Sequence, residues 1–472
     1  MFIMNISKNL LILILAGLML VFALPSPYQL ALLCFICIIP LYYVIDKNNS
    51  VVKTGFYGLF WGVFVGLFIY YGSIESDITI YLYSLFLAGA EGFYFFYFTK
   101  KYSAFSGIMF VILFEFYRNL GSFAFPSNFA LCLWKTPYLN NFASIGGIYS
   151  VTFFIFITNY ILYRIIFKKE LKKCLMLFIV WLVFIAPYFI NTPDNDEIEV
   201  AFVQGNLPEN EFDEKIEGGI TRYIWGILNY MNLTRKNIDK GYDFIIWSET
   251  VFKQDIFNNR GNLLIKEFFD LIDNNNLTLL FGLEYFENNK KFNSLMLYNN
   301  KIIDRYDKLR LVPVMEKQFT KGESKKTIIH NNTEIIPFIC YESIFNYKYH
   351  YSGNPSFGVV SSSDVGYSTL SFNYLHASYT VYRALELGRY FVRVSHTGLS
   401  FIVSEKGEII KQAPFGEVGI WNAKINLKSH NTIYNKFHWY ILSLYGFLFV
   451  FSLTRKFKKT LNIIGNSVKM IL

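Results

Sequence analysis

Long apolar segments constrain this chain more than any other feature. A run of roughly 20 apolar residues is long enough for a helix to cross the hydrocarbon core of a membrane. Seven candidate spans lie at about 9–24, 28–45, 55–73, 78–98, 103–121, 147–167 and 173–190, and an eighth lies at about 437–453. Of the 472 residues, 53% are hydrophobic and only 17% are charged, which is low for a soluble protein. The sequence therefore predicts a polytopic α-helical membrane domain of about eight spans.

The loops between these spans alternate in charge. Lysine and arginine in short loops remain on the cytoplasmic side of a membrane. They are found here at Lys8, Lys47, Lys53, Lys100, Lys101, Arg164, Lys168, Lys169, Lys172 and Lys173, and again at Arg455, Lys456, Lys458 and Lys459. The intervening loops carry almost none. We read the first span as an uncleaved helix with its N-terminus inside, so that seven spans place the following domain outside and the C-terminus in the cytoplasm. The net charge of +9 then needs no nucleic-acid partner.

The chain divides into three parts by composition. Residues 1–192 form the seven-span domain, 193–430 have the composition of a water-soluble domain, and 431–472 hold the last span and a basic tail. The middle part alternates strand-like and helix-like runs, which indicates an α/β fold. Strands are predicted near 198–204, 243–247, 278–284, 294–299, 335–341, 357–362, 391–395, 400–404 and 418–425. Helices are predicted near 217–239, 261–275 and 371–388.

One cysteine lies in this outer domain. The chain has five, at Cys34, Cys37, Cys132, Cys174 and Cys340, and only Cys340 falls between 193 and 430. The six histidines form no spaced metal-binding cluster with it in the sequence. Taken alone, Cys340 in "IPFICYESIF" is more typical of a buried core thiol than of a nucleophile, because free cysteines are commonly buried.

Charged residues follow other apolar strands of the same domain. Glu249 comes after "FIIW", Lys308 follows a polar turn with Glu316 eight residues later, and Glu342 comes two residues after Cys340. Active sites of layered α/β proteins collect at strand ends. A glutamate could take the thiol proton and a lysine could stabilise an oxyanion, so together these residues favour a nucleophilic site.

These motifs resemble those of the apolipoprotein N-acyltransferase family, the integral-membrane branch of the nitrilase (carbon-nitrogen hydrolase) superfamily. "FIIWSET" is similar to the family's W-P-E motif, "YDKLRLVP" to Y-x-K-x-x-L-V-P, "ICYES" to C-Y-E and "YRALELGR" to R-A-x-E-x-G-R. The resemblance implies Glu249 as general base, Lys308 as the oxyanion-stabilising lysine and Cys340 as nucleophile. It also implies supporting roles for Glu316, Glu342 and Tyr341.

The resemblance also implies a fold and a reaction. The fold would be an αββα sandwich inserted in the membrane domain. The reaction would move an acyl chain from a phospholipid, through a cysteine thioester, to the N-terminal amine of a diacylglyceryl-modified apolipoprotein, without a cofactor or a metal. The protein would lie in the inner membrane with its catalytic domain in the periplasm. A membrane-tethered amidase of the same superfamily is the alternative.

The chain departs from the family pattern near its binding loops. Ser248 stands where the family has proline, Val314-Met315-Glu316 replaces a sequence close to F-G-E, and the loop 363–368 lacks a tryptophan. Trp247, Phe212 and Arg118 are candidate substrate-binding residues. For Arg118, within a predicted span, contact with a lipid phosphate and a structural pair with Glu115 both remain open. The departures leave the acyl-chain preference undetermined.

Overall fold

The structure, a computed structural model, describes residues 2–74, 78–120, 127–190, 196–206, 221–345, 355–364, 369–427 and 431–454. The helices are α1 Phe2–Ala23, α2 Ile39–Lys47, α3 Val51–Ile69, α4 Ile78–Lys101, α5 Ala104–Leu120, α6 Pro137–Asn140, α7 Ala143–Gly146, α8 Ile148–Lys168, α9 Lys173–Ile185, α10 Arg222–Arg235, α11 Leu263–Asp273, α12 Leu370–Leu387 and α13 Ile433–Leu453. The strands are β1 Glu197–Gln204, β2 Phe244–Trp247, β3 Leu279–Glu287, β4 Lys290–Asn299, β5 Lys301–Asp307, β6 Ile328–His330, β7 Thr333–Ile339, β8 Phe357–Ser362, β9 Phe391–Ser395, β10 Phe401–Val403, β11 Ile409–Gln412 and β12 Gly419–Asn426.

Several helices are apolar enough to lie in a membrane. Among the described residues, α3, α4, α8 and α13 have the length and composition of a span, while the apolar segments Ser7–Ala23 and Lys173–Phe189 are shorter. Small residues let α3 and α4 approach closely, since a Cβ on Gly58 would lie 2.1 Å from the carbonyl oxygen of Gly92. Large apolar side chains remain exposed on this bundle, as expected for a surface facing lipid.

The second predicted span, 28–45, is wrong as a continuous helix. A short 3₁₀ helix, Ala31–Phe35, precedes α2, and the backbone between them is irregular. The buried side chain of Asn159 on α8 bonds both sides of this break. It accepts from the backbone N–H of Ile38 (3.0 Å) and donates to the carbonyl of Cys34 (2.8 Å). Irregular backbone is tolerated at membrane depth where neighbouring groups satisfy it.

The outer domain is built from two six-stranded sheets. Their orders are β12-β1-β2-β3-β4-β5 and β11-β10-β9-β8-β7-β6. The inner faces pack together through apolar side chains that alternate along the strands, among them Val200, Phe202, Ile246, Ile335, Ile339 and Val392. The outer face of the first sheet packs on α10 and α11, and that of the second sheet packs on α12. The observed layering is therefore αββα, as the resemblance implied.

Helix α12 also packs against the membrane helices. Its apolar side chains belong to one core that runs without interruption into α1, α5 and α8. Polar contacts cross the same junction. The Tyr379 hydroxyl donates to Asn128 Oδ1 (2.5 Å), and Glu386 Oε1 accepts from the backbone N–H of Ile148 at the start of α8 (2.8 Å). The second sheet is thus attached to the membrane helices through a shared apolar core and buried hydrogen bonds.

Most predicted strands are present, with one consequential error. The strand predicted over 335–341 ends at Ile339, and Cys340 begins a 3₁₀ helix, Cys340–Ile344. Strands β5, β6 and β11 were not predicted. Their polar residues do not show the alternation that identifies a half-buried strand.

Candidate active site

Three strand ends bring the predicted residues together between the two sheets. Glu249 lies two residues beyond β2, Lys308 directly follows β5, and Cys340 directly follows β7. The Glu249 segment is held against β3. A Cβ on Gly282 would lie 2.5 Å from the Glu249 Cα, so only glycine permits this approach. The position of the Glu249 backbone is therefore set by its close packing on Gly282, independently of the hydrogen bonds of its carboxylate.

Lys308 is the buried centre of this cluster. Its Nζ lies 3.0 Å from Glu249 Oε1 and 2.8 Å from Glu316 Oε1, and the residue is 1% exposed. Burial alone would lower the pKa of Lys308, but the carboxylates of Glu249 and Glu316 raise it well above its ordinary value. The ammonium is therefore charged throughout the neutral range.

Asn293 on β4 joins both carboxylates and was missed by the sequence reasoning. Its Nδ2 donates to Glu249 Oε1 (2.7 Å) and Glu316 Oε1 (3.1 Å). The second oxygen of Glu249 accepts from the backbone N–H of Ser363 (2.9 Å). An asparagine within an apolar strand carries no motif of its own, so nothing in the sequence distinguished it.

Cys340 is buried, and its thiol is not activated at rest. Burial raises the pKa of the Cys340 thiol well above its ordinary value, and Glu249 raises it further, while Lys308 lowers it. A thiol that is neutral near pH 7 needs a base during attack. The Glu249 carboxylate lies close enough to raise the pKa of this thiol.

Glu342 joins the loops that carry Lys308 and Cys340. The carboxylate is fully buried, and four donors among the described residues bond it. The donors are the Tyr306 hydroxyl (2.9 Å) and the backbone N–H groups of Leu309 (2.7 Å), Arg310 (3.1 Å) and Ile339 (2.8 Å). The neighbouring Tyr341 points away from this cluster into the core shared with α12, with its ring 4.9 Å from that of Phe345.

Left-handed backbone recurs in the loops of this cluster. Thr250 (φ 46°), Val314 (φ 71°), Cys340 (φ 51°) and Asp364 (φ 54°) all have positive φ without being glycine. Such conformations are strained and persist only where the surroundings hold them. The strain is greatest at the two β-branched residues, Thr250 and Val314. Here the Val312–Glu316 turn is closed by a hydrogen bond from the Val312 N–H to Glu316 Oε2 (2.6 Å).

A second buried polar group lies beside the thiol and was missed entirely. Cys340, Asp364 and His376 each offer one atom suited to a metal, all within 4.8 Å of one another. However, Arg393 Nη2 lies 2.5 Å from Asp364 and 3.2 Å from His376 Nδ1, and a cation would have to displace this guanidinium. The arrangement fits an internal hydrogen-bonded cluster, and we assign no metal to it.

Ser248 has partners that explain its departure from the family pattern. Its hydroxyl contacts the Tyr230 hydroxyl and His396 Nδ1 (2.8 Å), and Tyr230 also contacts His396 Nδ1 (2.9 Å). Burial lowers the pKa of His396 to about 3, so its ring is neutral. A polar network therefore lies where the family has a rigid proline.

Of the three candidate substrate-binding residues, the structure describes Trp247 and Arg118. Trp247 is fully buried among Tyr230 and Phe268, and its indole N–H donates to Thr234 (3.1 Å), so it packs the core. Phe212 lies outside the described residues.

Arg118 lies in the bundle and is 6% exposed. It forms its ion pair with Glu91 (3.2 Å) and not with Glu115, the structural alternative left open above. Glu115 instead accepts from Asn128 (3.0 Å) and Thr152 (2.9 Å). A contact of Arg118 with a lipid phosphate remains a prediction.

Comparison with known proteins places this site in a class. Residues 227–433 match the carbon-nitrogen hydrolase family model. The fold, together with the buried glutamate–lysine–cysteine cluster, therefore defines a carbon-nitrogen hydrolase domain carried on membrane helices. Solved structures with a similar fold include a CN-hydrolase superfamily protein from Xanthomonas campestris (TM-score 0.38, 12% identity, covering 49% of this chain and 91% of that one). An amidase from Nesterenkonia sp. is similar (TM-score 0.36, 12% identity, 52% and 95%).

The membrane part narrows the class further. Residues 16–161 match the model for the apolipoprotein N-acyltransferase N-terminal domain. Curated apolipoprotein N-acyltransferases are similar over most of the chain. The one from Vibrio parahaemolyticus is 26% identical over 65% of this chain and 67% of its own length, and the one from Rickettsia bellii is 26% identical over 80% and 82%. The chain belongs to the apolipoprotein N-acyltransferase family.

Proposed function

We propose that this protein transfers a fatty acyl chain from a phospholipid to the N-terminal amine of a lipidated apolipoprotein, by way of a thioester on Cys340. The observation that carries the proposal is the position of the cluster. It pairs a buried thiol with a charged lysine and a carboxylate, in a domain whose α12 packs directly on apolar membrane helices.

The first half-reaction would form the thioester. Glu249 takes the thiol proton as Cys340 Sγ attacks the carbonyl carbon of the phospholipid ester. The Lys308 ammonium, held 3.0 Å from Glu249, stabilises the negative oxygen that forms. The C–O bond then breaks, and the lysophospholipid oxygen leaves with the proton from Glu249. The acyl chain remains on sulfur.

The second half-reaction would return the enzyme to its starting state. The α-amine attacks the thioester carbon and Glu249 accepts a proton from the nitrogen. The C–S bond breaks, the thiolate regains a proton from Glu249, and an amide is released. Glu316, Asn293 and Glu342 touch neither substrate in this scheme. They position the lysine and the base through the hydrogen bonds described above.

Contacts with the bundle support a lipid donor. The loop after Lys308 reaches the end of α5, where the Arg310 guanidinium lies 3.5 Å from the Leu120 carbonyl oxygen. Gly72, beyond α3, is so close to Thr369 before α12 that a Cβ would lie 2.5 Å from its hydroxyl. Val314 and Met315, next to Glu316, are 40% and 42% exposed and offer apolar surface beside the cluster. A substrate anchored in the membrane would therefore meet the site where the domain joins the helices.

A two-substrate experiment tests the proposal. Purified protein is incubated with a phospholipid, then with a diacylated lipopeptide, and both are followed by mass spectrometry. We expect an acyl group on Cys340 and then a triacylated peptide, and neither with Cys340→Ala. Acyl-enzyme that releases only free fatty acid would favour the amidase-like hydrolase. No acyl-enzyme on the wild-type protein would exclude this donor.

We further propose that about eight spans place residues 193–430 in the periplasm, with the division at 192 and 430 and the C-terminus in the cytoplasm. Cys174 is exposed at the start of α9 and the other four cysteines are buried, so labelling reports on one position. A membrane-impermeant maleimide should modify Cys174 in inverted vesicles and spare it in spheroplasts. The opposite pattern would reverse the topology.

A further inference from the structure

The buried group Asp364, His376 and Arg393 takes no part in the steps above, although it lies directly behind the nucleophile. None of the three is more than 4% exposed. His376 comes from α12, Arg393 from β9 and Asp364 from the end of β8. Three ionisable side chains brought into the core from three elements require a reason beyond packing, because burying them is costly.

The backbone of Cys340 needs external support. With φ at 51°, Cys340 has a conformation that non-glycine residues adopt only when their surroundings hold it. Two side chains bond its carbonyl oxygen. The Ser343 hydroxyl donates to it (2.9 Å), and His376 Nε2 lies 3.1 Å from it. The backbone conformation of Cys340 determines the direction of its side chain. Hydrogen bonds that hold the Cys340 carbonyl therefore also fix the direction of the thiol.

The remaining contacts orient the imidazole. His376 Nδ1 lies 2.8 Å from Asp364 Oδ1. Burial would raise the pKa of Asp364, but Arg393 and then His376 lower it well below its ordinary value, so the carboxylate is charged and accepts. Arg393 Nη2 holds its other oxygen at 2.5 Å, and the Ser362 hydroxyl donates to Oδ1 (2.7 Å). Asp364 Oδ1 and the Cys340 carbonyl oxygen are both acceptors, so Nδ1–H donates to the first and Nε2–H to the second, and the ring is fixed in one orientation.

We propose that His376, oriented by Asp364 and Arg393, is a positioning residue that holds the Cys340 peptide in its left-handed conformation and so aims Sγ at the reacting carbonyl. The inference rests on the proposed function in treating Cys340 as the nucleophile. It assigns His376 no contact with substrate and no proton transfer.

Two amide substitutions separate this role from simple packing. The amide nitrogen of His376→Gln reaches the position of Nε2 and keeps a donor for the Cys340 carbonyl. The amide of His376→Asn reaches only the position of Nδ1 and keeps the contact with Asp364. If the carbonyl contact matters, glutamine should rescue function and asparagine should not. If the ring only neutralises Asp364, the order should reverse.

The measurement is the rate of Cys340 alkylation by iodoacetamide, read by peptide mass spectrometry in a Cys174→Ser background, alongside kcat and KM for acyl transfer. We expect His376→Gln to stay within about 3-fold of wild type, and His376→Asn to lose about 5- to 30-fold in alkylation rate and kcat, the factor associated with one hydrogen bond. KM should not change. Equal losses in both variants, or a larger loss in the glutamine variant, would overturn the inference.

A second variant covers the case in which His376→Asn does not fold. Ser343→Ala removes the other donor to the same carbonyl and deletes one hydroxyl. It should lower the alkylation rate in the same direction, and an unchanged rate would count against the inference. Alkylation needs no lipid. Therefore a wild-type protein that forms no acyl-enzyme but keeps the order of alkylation rates would refute the proposed donor alone. Normal acylation with equal alkylation rates would refute the positioning role alone.

Discussion

Replacing Glu342 with glutamine tests whether this carboxylate joins the two halves of the site. The change keeps the shape of the side chain and removes its charge. Glu342 Oε1 accepts three hydrogen bonds from the loop of Lys308, and Oε2 accepts one from the backbone N–H of Ile339. An amide has one accepting atom, so Glu342→Gln must turn its NH₂ group toward a buried donor.

The magnitude follows from these four bonds. With the amide nitrogen at the Oε2 position, the Ile339 N–H loses its acceptor in a fully buried place, which costs about 1–3 kcal/mol. The three bonds at Oε1 change from charged to neutral, at roughly 1 kcal/mol each. We expect a total loss of about 4–6 kcal/mol and a fall of roughly 10–20 °C in the unfolding midpoint of a domain of this size.

Tryptophan fluorescence during heating in detergent measures the midpoint, and alkylation of Cys340 reports the site itself. Glu267→Gln is the matched control. Glu267 is 51% exposed in its side chain and pairs with Arg235, and surface pairs contribute about 0–1 kcal/mol. If Glu342→Gln melts within 2 °C of the control and its thiol reacts at the wild-type rate, the carboxylate does not join the two loops.

Three further substitutions have directions set by the structure. Lys308→Met removes the cation that lowers the pKa of the Cys340 thiol. Alkylation of Cys340 should therefore be slower between pH 7 and 9, although its rate should still rise with pH, and kcat should fall by about 100-fold. An unchanged pH profile of alkylation would contradict this. Gly282→Ala should lower kcat at least about 10-fold, because its Cβ meets backbone at 2.5 Å, whereas Gly261→Ala, with nothing within 4 Å, should remain active. Ser248→Ala should lower stability by only about 1 kcal/mol in a thermal melt, since its two partners still bond each other, and a loss above 3 kcal/mol would mean that the hydroxyl does more.

The sequence allowed prediction where a residue's neighbours along the chain determine its place. Glu249 and Cys340 each follow an apolar strand that the alternation predicted. Lys308 instead follows β5, which was not predicted, and was indicated by its polar turn and by the likeness to Y-x-K-x-x-L-V-P. The α/β character and most strands were predictable for the same reason, because alternation of apolar residues reflects burial.

The parts that could not be predicted depend on contacts between distant segments. Asp364, His376 and Arg393 come together only when three separate elements pack, and their spacing in the sequence does not match any recognisable motif. Hydropathy predicted a single span over 28–45. It depends only on the residues of that segment, whereas the break is stabilised by hydrogen bonds with Asn159 on another helix. Likewise, the left-handed turn at Cys340 is followed by further apolar residues. The sequence therefore predicted a strand that ends two residues too late.

The core shared by α12 and the membrane helices determines whether the catalytic domain can be produced on its own. One face of α12 packs on the membrane helices, and Tyr379 and Glu386 form hydrogen bonds across the same junction. We expect a fragment of residues 196–427 to expose that face of α12 and to aggregate rather than to yield a soluble enzyme. The catalytic domain therefore has to be produced and studied together with its membrane helices.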